Sequence, residues 1–147
     1  MLKAFEKFGY FLSKIKNDKI IIESKGTRKA FYVVGNNSYT KSRNRMSKIL
    51  KKSRNDNESF LICKGYDISI FNVIKRENDI EHSLMKDQIH KLSSIGYRFV
   101  VFCKKLLDEE ETSSFMTKYK LAENYALERE YLFENVFIIT DLACFGI

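Results

Sequence analysis

KIIIESKGTRKAFYVVG, residues 19–35, decides the fold. Two runs rich in β-branched and aromatic side chains, KIIIESK and KAFYVVG, flank a Gly26-Thr27 turn. Such side chains lose little on entering a pleated surface, and the glycine between them supplies the sharp reversal, so the stretch predicts an antiparallel hairpin. Reading downstream, RMSKILKKS (45–53) puts Met46, Lys48 and Leu50 on one parity of a strand, and SFLICK (59–64) is a short apolar strand. RNDNES (54–59) is the loop between them.

Helical spacing takes over after residue 66. DISIFNVIKR (67–76) and DIEHSLMKDQIHKLSSIG (79–96) read as two helices, the second carrying Ile80, Leu84, Ile89 and Leu92 and stopping at Gly96. YRFVVFCKKLL (97–107) is a further strand. Residues 108–136 then read as one long amphipathic helix, opened by acidic residues that favour a helix N-terminus, with Phe115, Tyr119, Ala122 and Ala126 along one face. VFIIT (136–140) closes as a buried strand. Upstream of the hairpin, LKAFEKFGY places Leu2, Phe5, Phe8 and Gly9 on one helical face. Strands that cluster early, with helices packed on them, give an α+β fold: an antiparallel sheet flanked by helices in a single domain spanning residues 1–147.

Composition narrows the function classes. The 147 residues are 44% hydrophobic, enough for one core of ordinary size. The charge is lopsided: residues 1–54 hold 15 Lys and Arg against 3 Asp and Glu, a net +12, so the whole-chain +7 leaves −5 for residues 55–147. Cys63, Cys103 and Cys144 are an odd number in strand-like runs, which suits reduced core thiols. No apolar run approaches the roughly 18 residues of a membrane span, and MLKAFEKFGYF is too short and too charged for a signal peptide. His82 and His90 lie eight residues apart on a helix without metal-ligand spacing, so no metal site is expected. The sequence lacks G-x-S-x-G, G-x-x-x-x-G-K-[ST] and G-x-G-x-x-G. No catalytic residue is expected in this chain.

Three stretches remain: SYTKSRNRMS (38–47), ICKGYD (62–67) and GYRFVVF (96–102). In order and spacing they resemble the nucleotide-binding domain of type IV P-type ATPases, the phospholipid flippases. That family writes F-x-S-x-R-K-R-M-S, then C-K-G-A-D, then G-L-R-T-L. Arg43, Arg45, Met46, Ser47, Cys63, Lys64, Gly65, Asp67, Gly96 and Arg98 match. Tyr39 stands for Phe, Asn44 for Lys, Tyr66 for Ala, and Tyr97 and Phe99 for Leu and Thr. KAFEKFGYFL resembles the segment that follows the family's D-E-x-A-L motif, and the 108–136 stretch resembles the helix leading back toward the phosphorylation domain. The resemblance covers nearly the whole chain. At the C-terminus, Thr140 to Gly146 depart from the family's G-A-T-A-I-E-D, which puts turnover of a parent enzyme in doubt.

The resemblance implies a nucleotide site whose parts make physical sense. Tyr39 offers a flat partner for adenine, worth about 0.5–1.5 kcal/mol beyond burial. Gly65 lets backbone approach closely, Lys64 brings a mobile cation, and Arg98 brings a planar fork for phosphate oxygens. Lys41 and Arg43 are secondary contacts, and Tyr66 either fills the pocket or replaces Tyr39 as the stacking partner. The ligand implied is ATP, with Mg2+ carried by the nucleotide. Its γ-phosphate would go to an aspartate outside this chain, in other domains of a membrane-embedded parent, which makes the chain a cytosolic module without turnover of its own. Two alternatives stay open. One is a degenerate flippase-like domain with a structural or regulatory role, of the kind fused to guanylyl cyclase domains in protist proteins. The other is a basic nucleic-acid-binding domain, disfavoured by the absence of any recognition motif.

Overall fold

A computed structural model describes residues 5–73, 80–122, 124–135 and 141–146. Seven strands form one antiparallel sheet in sequence order: β1 (Tyr10–Lys16), β2 (Lys19–Ser24), β3 (Thr27–Thr40), β4 (Arg45–Lys51), β5 (Ser59–Gly65), β6 (Phe99–Leu107) and β7 (Asp141–Gly146). Among the described residues, the helices that accompany them are α1 (Asp67–Phe71), α2 (Ile80–Ser93), α3 (Glu109–Ala122) and α4 (Ala126–Asn135). The architecture is α+β, as the sequence predicts.

Alternation along the central strands sorts the two faces. Ser47 and Ile49 on β4, Leu61 and Cys63 on β5, and Val101, Cys103 and Leu107 on β6 are buried. They meet Ile70 and Phe71 of α1, Ile89 of α2, Phe115 and Tyr119 of α3 and Phe133 of α4 in one apolar cluster. The opposite parity, with Met46, Leu50, Phe60, Ile62, Lys64, Val100 and Phe102, is half-buried and forms the second face of the sheet. A register slip of one residue would exchange the two faces, so the pairing of Met46 with Lys64 and of Lys64 with Phe102 is fixed by the core.

The predicted hairpin is present as β2 and β3, but its turn residues are Lys25 and Gly26, both at positive φ (49° and 74°), between the paired Ser24 and Thr27. This is the geometry a two-residue hairpin needs to match strand twist. Of the N-terminal stretch read as helical, residues 1–4 lie outside the described residues; Phe5 and Glu6 are helical, Phe8 and Gly9 donate to the carbonyls of Phe5 and Glu6, and Gly9 at φ 80° leads straight into β1. Two further expectations are corrected. The strand β1 itself is absent from the sequence reading; it pairs with β2 across Asn17-Asp18, with Asn17 at φ 54°.

The long C-terminal helix is two. In one straight helix, Phe115 and Phe133 would sit about 27 Å apart at 1.5 Å per residue. The chain instead breaks after Ala122, where the Tyr125 N–H donates to the Ala122 carbonyl (3.0 Å), and turns back. Phe133 then packs edge-on against Phe115 (5.2 Å between centroids) and Tyr119 (5.9 Å). Burial of Phe133 outweighs the one or two helical hydrogen bonds lost at the break. The predicted strand 136–140 lies outside the described residues. At its start, α3 is capped reciprocally: the Glu111 N–H donates to Asp108 Oδ1 (2.8 Å) while Glu111 Oε2 accepts from the Asp108 N–H (3.4 Å), which accounts for the acidic run without an ion.

Candidate functional site

The second face of the sheet ends, near the β3–β4 turn, in a cavity of about 340 Å3. Its lining is Tyr39, Asn44, Met46, Lys64, Gly65, Tyr66 and Val100. Four residues singled out from the sequence therefore share one space: Tyr39, from the end of β3, and Lys64, Gly65 and Tyr66, from the end of β5 and the step into α1. They converge because β3, β4 and β5 are adjacent antiparallel strands, so that the turn after β3 and the exit from β5 lie at the same end of the sheet.

Tyr39 and Tyr66 are about half exposed, at 47% and 51%. The Tyr39 hydroxyl donates to Asn44 Oδ1 (2.9 Å). Asn44 is at φ 53°, and its carbonyl accepts the Tyr66 N–H (3.1 Å). Lys64 extends over the Phe102 ring, its Nζ 5.7 Å from the centroid, and is the charged member of the lining. Gly65 is required by space: a Cβ there would fall 2.6 Å from Arg45 Cβ and 2.7 Å from the Asn44 carbonyl oxygen.

The remaining candidates are placed differently. Lys41 is exposed in the β3–β4 turn outside the cavity lining. Arg43 is buried (6% exposed): its guanidinium donates to the Ser38 carbonyl and, through Nε, to Thr40 Oγ1 (3.3 Å), which ties the turn together. Arg45 is also buried and donates to the Arg43 carbonyl (3.3 Å) and to Ser69 Oγ (3.2 Å) of α1. Both arginines line an adjoining cavity of about 540 Å3 with Tyr66, Asp67 and Ser69. Arg98 is exposed immediately before β6, two residues from Val100. Asn44, Met46 and Val100 are given no place in the site by the sequence, although Asn44 and Met46 lie within its first motif. Met46 could have been found from strand parity, because it stands opposite Lys64 in the register.

Chemically, the cavity offers two aromatic walls, an apolar floor and one cation. That combination suits a planar ring with an anionic extension. Among the described residues no group of three His, Cys, Asp or Glu side chains is placed to hold a metal ion. The buried pair Cys63 and Cys103 lies beneath, on the helix side; hydrogen bonding to the Cys63 side chain and burial push the Cys103 thiol far above its usual range.

Comparison with known proteins finds phospholipid-transporting ATPases. The chain is 29% identical over 88% of its length to a phospholipid-transporting ATPase of Schizosaccharomyces pombe. It is 29% identical over 99% of its length to phospholipid-transporting ATPase IC of Xenopus tropicalis. The kinship with phospholipid-transporting ATPases is borne out. This flippase-like chain is also 22% identical over its full length to guanylate cyclase beta of Plasmodium berghei. No family model matches it. It spans 9% of the length of the S. pombe ATPase and 12% of the X. tropicalis one. No described helix is long and apolar enough to cross a membrane.

Proposed function

We propose that the chain is a single nucleotide-binding module of a larger, membrane-embedded phospholipid-transporting P-type ATPase, and that it lies on the cytosolic side. The observation that carries this reading is the shared cavity of Tyr39, Lys64, Gly65 and Tyr66, residues drawn from two separate motifs. The adenine ring lies between the tyrosine walls over Met46 and Val100. Gly65 admits the ligand against the backbone, Lys64 meets the α- or β-phosphate, and Arg98 and Lys41 at the rim meet the outer phosphates. Arg43 acts indirectly, by holding the turn that carries Tyr39. ATP arrives with Mg2+, which would neutralise the phosphates for transfer to an aspartate in a neighbouring domain.

Lys64→Ala tests the assignment. Loss of a charge-assisted contact weakens ATP binding about tenfold or more, with the urea unfolding midpoint unchanged. An unaltered dissociation constant would contradict it. A second reading, motivated by the 22% identity to 5% of a guanylate cyclase's length, is that the module serves a fused cyclase as a structural or regulatory domain. Nucleotide binding by a chain whose parent carries a cyclase domain and forms no phosphoenzyme would select that reading.

A further inference from the structure

Three departures from the flippase motif, at positions 39, 44 and 66, meet at one point in the structure. Tyr39 brings a hydroxyl and Asn44 the acceptor for it, at 2.9 Å. A phenylalanine has no hydroxyl and a lysine has no acceptor, so this bond exists only with both replacements. The backbone of Asn44 is held from two sides: its N–H donates to the Thr40 carbonyl (2.8 Å) and its carbonyl accepts from Tyr66 (3.1 Å). Asparagine tolerates the left-handed conformation, φ 53°, that this position adopts. One residue thus connects both aromatic walls of the cavity, Tyr39 through its side chain and Tyr66 through its main chain.

We propose that Asn44 is a positioning residue that sets Tyr39 opposite Tyr66, so that the cavity is a two-tyrosine cleft for a planar base. The proposal rests on the nucleotide reading above and adds the means by which the base, as distinct from the phosphates, is held. The Tyr39 ring is half exposed, and an exposed ring free at χ1 and χ2 would be ordered only on binding. The bond to Asn44 orders it in advance, so less is lost when a base enters. Recognition of the base then depends on Asn44, although its side chain need not touch the ligand.

Asn44→Gly keeps the positive φ and removes the side chain; Tyr39→Phe removes only the hydroxyl. ATP and inorganic tripolyphosphate are titrated against the chain, both variants and the double variant, followed by amide chemical shifts. Each single variant is expected to weaken ATP binding about twofold to tenfold, with the double variant no weaker than the weaker single one and tripolyphosphate affinity unchanged. Unchanged ATP affinity, multiplying losses, or a parallel fall for tripolyphosphate would overturn the proposal. Tyr39→Phe leaves the fold intact and carries the test if Asn44→Gly does not fold. Should the unaltered chain give no response to ATP, the nucleotide reading is what fails. The Tyr39 ring signals of Asn44→Gly then decide the positioning claim: averaged, shifted signals support it, and signals superimposable on those of the parent chain refute it.

Discussion

Gly65 is the residue on which the cavity turns. Its missing side chain lets β5 pass within contact of Asn44 and Arg45, at a cavity that Lys64 and Tyr66 both line. Gly65→Ala is expected to lower stability by about 1–3 kcal/mol through overpacking against strand β4, read as a shift in the urea midpoint; an unshifted midpoint would mean that the strand end yields freely. Cys63 and Cys103 face each other across β5 and β6 with both side chains buried. Native protein is therefore expected to resist iodoacetamide at both thiols and to react at both after unfolding, as mass spectrometry would show; fast native labelling of Cys103 would contradict its burial and raised pKa. Tyr39, Lys64 and Gly65 were visible in the sequence through the resemblance of SYTKSRNRMS and ICKGYD to the flippase motifs. The sequence showed Asn44 as a departure from the motif but gave it no role, because the value of that residue lies in a hydrogen bond and a backbone angle, neither of which has a sequence period.

Strands were legible where alternation is strong, as in SFLICK and RMSKILK, whose buried and half-buried positions follow the expected parity. β1 was not, since YFLSKIK is exposed throughout and its pairing depends on the Asn17-Asp18 turn rather than on a buried face. The division of the last helical stretch into α3 and α4 was hidden for a different reason. Amphipathic spacing runs through the break, and only tertiary contact of Phe133 with Phe115 and Tyr119 requires it. Phe133→Ala should accordingly cost about 3–5 kcal/mol, the usual penalty for emptying a large aromatic site, measured by chemical denaturation. A loss under 1 kcal/mol would show that the reversal of α4 against α3 contributes little to the fold.

The sheet and its helices divide the labour between two faces. One face, covered by helices, holds the core; the other presents half-buried apolar residues and lysines, and at its end the cleft of Tyr39, Asn44, Lys64 and Tyr66. Arg43, expected as a secondary contact, and Arg45, a motif match, brace the turn that builds this cleft. Titration of the chain with ATP, with and without Mg2+, followed by backbone amide NMR, tests the central claim most directly. Saturable shifts confined to Tyr39, Asn44, Lys64, Gly65, Tyr66 and Arg98 are the predicted result. An unchanged spectrum at millimolar ATP, or shifts scattered away from that end of the sheet, would contradict it.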